Sequence, residues 1–128
     1  MIVAGIGSRK GVSAAEVIAA IEAALNEYGL TRPALSMLAT ARMKEDEAGI
    51  IAAGGALNVP LILVDGEVLK EMSDRTLSHS DASLSLAGTP SVSEAAALAA
   101  AGDGARLAGP RIVIGPVTCA IAFGGGGQ

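Results

Sequence analysis

Short apolar runs alternate with amphipathic, capped segments along the first hundred residues. Runs typical of buried strands cover residues 2–6, 34–40 and 61–64, and helical patterns cover residues 13–28, 45–57, 65–72 and 91–101. Strands joined by helices are connected by right-handed crossovers and lie parallel in one sheet. Aromatic residues make up only 2% of the chain, so its core must be aliphatic, which suits close helix–sheet packing. The pattern predicts a single three-layer α/β domain over residues 1–128, built from parallel βαβ units.

Two serine–glutamate pairs mark the starts of predicted helices. Ser13 stands three residues before Glu16, and Ser91 stands three residues before Glu94. In a capping box, the serine oxygen accepts a backbone N–H of the first turn and the glutamate carboxylate accepts the N–H of the serine. We predict a capping box at both helix starts.

The last third of the chain changes character. Residues 73–89 are rich in serine and predict a mobile surface loop, with a short strand near residues 83–86. Residues 111–114 and 117–123 are apolar and are joined by Gly115-Pro116, which predicts a C-terminal antiparallel hairpin and therefore a mixed sheet. Residues 124–128 are predicted to be disordered.

Composition excludes several classes of function. A net charge of −4 argues against nucleic-acid binding, which needs a basic surface. The single cysteine cannot form an internal disulfide, which fits a reducing compartment. No apolar run approaches the roughly 18 residues needed to span a membrane, and the amino terminus lacks the pattern of a signal peptide. We expect a cytoplasmic protein that binds neither nucleic acid nor membrane.

The loop after the first strand predicts an anion site. Ligands of such sheets bind beyond the carboxyl ends of the strands, which places them at residues 7–12 and 41–46. The candidate ligand-binding residues of the first loop are consecutive: Gly7, Ser8, Arg9, Lys10 and Gly11. Backbone N–H groups, a helix dipole and two cations there suit a carboxylate or phosphate, although the glycine spacing fits neither the dinucleotide fingerprint nor the P-loop. The alternative is a tight turn with a solvated basic pair.

Lys44, Asp46 and Glu47 form a second polar group, near the predicted start of the helix at residues 45–57. They are the candidate catalytic residues, because a lysine and carboxylates at the same sheet edge can position a substrate or move a proton; Lys44 is also a candidate ligand-binding residue. The alternative, which the spacing alone favours, is an exposed ion pair that contributes about 0.2–0.5 kcal/mol. Acids at this point also suit the helix dipole.

The remaining candidates are isolated residues. Ser91 is explained by its capping role, and the alternative is that it binds an anion at the same sheet edge. Ser8 and His79, the only histidine, could form a catalytic serine–histidine pair, but the sequence has no nucleophile-elbow motif to support it. His79 and Cys119 lack the spacing of metal ligands, so neither a metal nor a cofactor is predicted. Cys119 lies in an apolar run and is expected to be an inert core thiol.

Three segments together resemble one family, the cobalamin (vitamin B12) biosynthesis proteins that include CobE and the carboxy-terminal domain of CbiG. They are GIGSRKGVS at residues 5–13 with Glu16, KEDEAG at residues 44–49, and GTPSVSEAAAL at residues 88–98. The segments occur in the order of the family and span most of the chain. Two positions depart from the second motif: Arg42 replaces an expected acid, and Ala48 replaces a frequent proline.

The resemblance implies a role in assembling the corrin ring. CbiG-type proteins open the δ-lactone of cobalt-precorrin-5A and release acetaldehyde, whereas CobE-type proteins stand alone; without a CbiG-like amino-terminal extension, the chain is expected to be closer to CobE. The first hypothesis is a protein that binds a precorrin or corrin intermediate through its carboxylates, using Ser8, Arg9, Lys10 and Lys44. The alternatives are a lactone hydrolase that uses Lys44, Asp46 or Glu47, and a subunit that stabilises another enzyme of the pathway.

Overall fold

A computed structural model describes residues 1–125 as one open mixed sheet of six strands with five α-helices. The predicted α/β fold is confirmed. The strands are β1 (Ile2–Ser8), β2 (Met37–Ala41), β3 (Leu61–Val64), β4 (Arg106–Leu107), β5 (Ile112–Ile114) and β6 (Val117–Phe123). The helices are α1 (Ala14–Glu27), α2 (Ala48–Leu57), α3 (Gly66–Glu71), α4 (Asp81–Ala87) and α5 (Val92–Ala101), with 3₁₀ turns at Arg32–Ala34, Arg42–Lys44 and Ser73–Arg75.

The strand order is β3-β2-β1-β6-β4, with β5 also paired to β6. The first three strands are parallel, as the alternation of strands and helices predicts. β6 returns antiparallel to β1 and forms the predicted hairpin with β5, in which Ile114 pairs with Val117. The two-residue strand β4, which pairs with the far end of β6, was not predicted. β1 therefore lies in the middle of the sheet.

Helices cover both faces of the sheet. α1 and α2 pack on one face, where Ile21 and Ile50 belong to the same buried cluster as Ile6. α3 and α5 pack on the other face, where Leu69 and Leu98 are buried. Successive residues of a strand point to opposite faces, and both faces of β1 are buried, so its run of apolar residues is continuous rather than alternating.

α5 lies unusually close to β1. Its alanines at positions 95–97 are fully buried, and a Cβ atom added at Gly5 would overlap the carbonyl oxygen of Ser93. Small side chains on both elements allow the two backbones to approach. This contact explains why the core of the chain is rich in alanine and glycine.

The predicted strand near residues 83–86 is wrong, because those residues belong to helix α4. Ser80 caps this helix by accepting the N–H of Ser83 at 3.2 Å, and Gly88 ends it in the left-handed conformation with φ 75°. None of its residues is buried, so no apolar periodicity marks it in the sequence. The segment predicted as a loop thus contains a helix and a 3₁₀ turn.

The start of α2 also differs from the prediction. The helix begins at Ala48, not residue 45, because Arg42–Lys44 forms a 3₁₀ turn. Its first turn contains no acid, and Glu47 stands at the N-cap without capping it. The three acids at residues 45–47 therefore precede the first turn of the helix.

The two predicted capping boxes have different outcomes. At α1 the box is complete: Ser13 Oγ accepts the N–H of Glu16 at 3.1 Å, and Glu16 Oε1 accepts the N–H of Ser13 at 3.0 Å. At α5 only the serine half forms, since Ser91 Oγ accepts the N–H of Glu94 at 3.4 Å while the Glu94 carboxylate turns elsewhere. The prediction of a complete capping box at α5 is therefore wrong.

The carboxyl terminus is only partly described. Gly124 donates its N–H to the carbonyl oxygen of Met1 at 2.8 Å, so the disorder predicted from residue 124 does not begin there. Residues 126–128 lie outside the described residues. Over residues 1–125, no helix combines the length and the apolar character that crossing a membrane requires.

Candidate functional site

A cavity of about 690 Å³ opens at the carboxyl ends of β1 and β2. Four parts of the fold enclose it: the loops after these two strands, helix α4, the start of α5, and the β5–β6 hairpin. Its lining consists of Gly7, Ser8, Arg9, Lys10, Ala41, Met43, Lys44, Ser80, Ala82, Ser83, Leu86, Ala87, Val92, Arg111, Val113, Gly115, Pro116 and Thr118. The position agrees with the rule for parallel sheets.

Two sets of cations predicted from separate loops meet at this cavity. Arg9 and Lys10 follow β1, whereas Lys44 ends the 3₁₀ turn after β2. Their loops are adjacent because β1 and β2 are paired in parallel register. The hairpin completes the wall, since the Arg9 N–H donates to the carbonyl oxygen of Pro116 at 3.1 Å.

Gly7 and Ser8 form the wall where β1 ends. A Cβ atom at Gly7 would lie 2.6 Å from Thr118 Oγ1, so this position has no room for a larger residue. Thr118 Oγ1 donates to the carbonyl oxygen of Gly7 at 3.3 Å. In the described part of the chain, Ser8 Oγ is the only buried side-chain polar atom without a hydrogen-bond partner. Ser8 lines the cavity, while its hydroxyl oxygen is buried.

Gly11 does not line the cavity. It adopts a left-handed conformation with φ 79°, and its N–H donates to Glu47 Oε1 at 2.9 Å. This bond ties the first loop to the start of α2 and occupies the backbone amide that the sequence offered to an anion. Asp46 is exposed and also lies outside the lining. Of the three candidate catalytic residues, only Lys44 faces the cavity.

Ser91 lies behind the cavity wall and not in it. Its side chain is fully buried, and its Oγ accepts a hydrogen bond from Arg111 Nη1 at 3.4 Å. Arg111 itself lines the cavity, and sequence reasoning missed it. No motif includes Arg111; the one available signal was a basic residue next to an apolar strand.

The cavity is positively charged. Among residues 1–125, its lining includes four basic side chains and no acidic one, the cations being Arg9, Lys10, Lys44 and Arg111. None of the four forms an ion pair within that range. Arg42, which departs from the family pattern, instead pairs with Asp65 at 2.5 Å, and this bond raises the pKa of Arg42. A cavity lined by four cations suits an anionic ligand.

The rest of the lining is largely apolar. Met43, Leu86 and Val113 are 58%, 75% and 58% exposed, although residues of this kind are usually covered. A smaller cavity of about 400 Å³ adjoins the first and shares Met43 and Leu86 with it. The site thus combines cations with an uncovered apolar surface, which fits an amphiphilic ligand.

The other candidates do not converge on the cavity. His79 Nε2 contacts Asp81 Oδ1 at 2.8 Å and makes no bond to Ser8. Cys119 is fully buried in β6, and burial raises the pKa of its thiol, as expected for an inert core cysteine. Within the described residues, no three or more His, Cys, Asp or Glu side chains cluster as metal ligands.

Comparison with known proteins gives the same family as the three sequence segments at residues 5–13, 44–49 and 88–98. Residues 2–122 match the family described as "Cobalamin synthesis G C-terminus". The chain belongs to this family. Protein CobE from Sinorhizobium sp is 32% identical over 121 residues, which cover 94% of this chain and 79% of that protein. The chain is therefore a cobalamin biosynthesis protein of the CobE and CbiG carboxy-terminal type.

Two solved structures of the family have the same fold. The crystal structure of a CobE, described as a protein from the cobalamin biosynthetic pathway, aligns with a TM-score of 0.91 at 36% identity, covering 95% of this chain and 89% of that one. The cobalamin biosynthesis protein chiG from Agrobacterium tumefaciens aligns with a TM-score of 0.77 at 50% identity, covering 96% and 98%. The likeness to both extends over nearly the whole chain.

Proposed function

We propose that this protein binds a tetrapyrrole intermediate of cobalamin biosynthesis through the carboxylates of its acetate and propionate side chains. The charge of the cavity carries the proposal: of the described residues, four that line it are basic and none is acidic. The chain as a whole has a net charge of −4, so positive charge is concentrated at this place against the overall balance. A ligand with several carboxylates is the matching chemistry.

The apolar part of the cavity supports a macrocyclic ligand over a small anion. Exposed Met43, Leu86 and Val113 would be covered by a flat apolar ring, while the cations meet the acids at its periphery. A phosphate or a simple dicarboxylate would leave this surface in water.

The residues that line the cavity are better suited to binding a ligand than to catalysing its reaction. In the described part of the cavity wall, no carboxylate or imidazole is present to act as a general acid or base, and Glu47 is engaged by the Gly11 N–H. We therefore propose that the protein holds or carries its ligand. Delivery to other enzymes of the pathway, which are the proposed protein partners, follows from that role.

Calorimetric titration with hydrogenobyrinic acid at low and moderate salt tests the proposal. Binding should weaken as salt rises, because ions screen the carboxylate–cation attraction. Replacing both Arg9 and Lys10 with alanine should weaken binding by about tenfold or more, since a hydrogen bond to a charged group contributes about 1.5–3 kcal/mol. Arg32→Ala is the matched control, because Arg32 pairs with Glu22 before β2, away from the cavity.

The outcomes separate the candidate functions. Absence of heat at both salt concentrations would refute binding of this ligand class. Equal affinity for the methyl ester of the same compound would show that the cations do not recognise carboxylates. If the protein releases acetaldehyde from cobalt-precorrin-5A and a Lys44→Ala variant does not, the function is lactone hydrolysis and not transport of the intermediate.

A further inference from the structure

Glu94 is a fully buried carboxylate that no ion pair within residues 1–125 neutralises. A buried charge is tolerated only when hydrogen bonds replace its hydration. Its Oε1 accepts the N–H groups of Leu77 and Ser78, both at 2.8 Å. Its Oε2 accepts the Ser78 hydroxyl at 2.8 Å and the N–H of Arg111 at 2.9 Å. One carboxylate of α5 is thus hydrogen-bonded to two segments that lie 33 residues apart in the chain.

Both segments lead directly into the cavity wall. Leu77 and Ser78 precede Ser80, which lines the cavity and caps α4. Arg111 lines the cavity and immediately precedes β5. α4 has no buried residue of its own, so packing alone does not fix its position. Hydrogen bonds at its amino-terminal end therefore contribute to holding it: those of Glu94 to the segment before it, and that of the Ser80 N–H to the carbonyl oxygen of Pro90 at 2.8 Å.

Arg111 is fixed at both ends. Glu94 accepts its backbone N–H, while Ser91, on the same turn as Glu94, accepts from its guanidinium. The base of this arrangement is rigid, because residues 93–98 of α5 are buried against the sheet. A simple capping box would have used the Glu94 carboxylate at Ser91, yet it is directed to the cavity wall.

We propose that Glu94 is a positioning residue for the ligand site: its carboxylate sets α4 and Arg111 at the spacing that the ligand requires. This inference rests on the proposed function, because it assigns Glu94 to the same cavity. Glu94 itself is buried and absent from the lining, so it acts through Arg111 and the segment before α4.

Glu94→Gln is the sharpest test, because it keeps the shape of the side chain and removes one acceptor. If the amide oxygen keeps the N–H groups of Leu77 and Ser78, its NH₂ group must face the N–H of Arg111, and that bond is lost. Affinity for hydrogenobyrinic acid should fall about tenfold, measured where the variant is fully folded. Arg111→Ala should also weaken binding, and the double variant should bind about as weakly as Arg111→Ala alone, because Glu94→Gln acts through the guanidinium that Arg111→Ala removes.

A structural role alone would give a different result. It would lower the melting temperature of Glu94→Gln and leave the affinity of the folded protein unchanged. Leu98→Val is the control for destabilisation, since Leu98 is buried on α5 and lies outside the cavity lining. It should lower stability without changing affinity.

Hydrogen exchange keeps the two proposals distinguishable. In Glu94→Gln the Arg111 amide should exchange faster, and in Glu94→Ala the amides of Leu77, Ser78 and Arg111 should do so together. If wild-type protein fails to bind the probe, the proposed function fails, and these amides still decide whether Glu94 holds the two segments. Unchanged exchange at all three amides, wild-type affinity of Glu94→Gln, or additive losses in the double variant would each overturn the inference.

Discussion

Replacing Gly5 with alanine perturbs the contact between α5 and the central strand β1. The added Cβ atom would overlap the carbonyl oxygen of Ser93 and would lie 2.8 Å from the backbone nitrogen and 2.9 Å from the Cβ atom of Ala97. Two of these three atoms belong to the backbone of a helix. They cannot move aside as a flexible side chain does, so the whole helix must shift.

The magnitude follows from the cost of overpacking. An extra methyl group in a well-packed core costs about 1–3 kcal/mol, and a backbone clash places this variant at the upper end. Alanine also restricts the unfolded chain, which offsets about 0.4–1 kcal/mol. We expect a net loss of about 2–2.6 kcal/mol in the free energy of unfolding and a fall of about 10 °C in melting temperature.

Urea unfolding followed by circular dichroism measures this loss, since the chain has no tryptophan. Gly55→Ala is the matched control, because the same change in α2 meets no atom within 4 Å. It should stabilise the protein by about 0.5–1 kcal/mol, since glycine is less favourable than alanine inside a helix. The two variants should therefore have opposite signs.

A Gly5→Ala variant as stable as wild type would refute the close approach of α5 to β1. A Gly55→Ala variant destabilised as strongly as Gly5→Ala would refute the reasoning differently, because the loss would then not depend on the space around the glycine. The same helix begins at Val92, which lines the cavity, so Gly5→Ala should also weaken ligand binding by displacing the cavity wall.

Three further changes test other contacts. Tyr28→Phe removes the 2.6 Å hydrogen bond from the phenol to the carbonyl oxygen of Pro110, and urea unfolding should show a loss of about 1 kcal/mol. Burial raises the pKa of the Cys119 thiol, so above about pH 8.5 the folded state keeps a proton that the unfolded state loses. The free energy of unfolding should therefore fall above that pH by up to about 1.4 kcal/mol per pH unit. Cys119→Ala should remove this pH dependence. Glu47→Ala removes the acceptor of the Gly11 N–H, so that amide should exchange about tenfold faster, whereas Glu47→Gln should retain protection.

Each of these has a contrary result. Unchanged unfolding of Tyr28→Phe would mean that the phenol finds an equal partner in water. Reaction of Cys119 with iodoacetamide in the folded protein, as fast as in the unfolded chain, would contradict its burial. Equal exchange in both Glu47 variants would show that the carboxylate does not hold the loop.

Most of the fold could be predicted because its signals are local. Apolar runs, the capping residues of α1 and the Gly115-Pro116 turn act within a few residues of each other, and each led to the element that the structure contains. β4 was missed because two residues show no periodicity, and only pairing with the end of β6 makes them a strand. α4 was missed for a related reason: none of its residues is buried, so it has no apolar pattern.

The sequence by itself placed the loops of Arg9, Lys10 and Lys44 at one edge of the sheet, because the carboxyl ends of parallel strands lie at the same edge. Only the tertiary structure decided what surrounds them. Arg111 lines the cavity next to the returning hairpin. The Glu94 carboxylate accepts the N–H groups of Ser78 and Arg111 instead of completing its capping box. These contacts join residues far apart in the chain, so their geometry depends on how the layers pack and not on local preference.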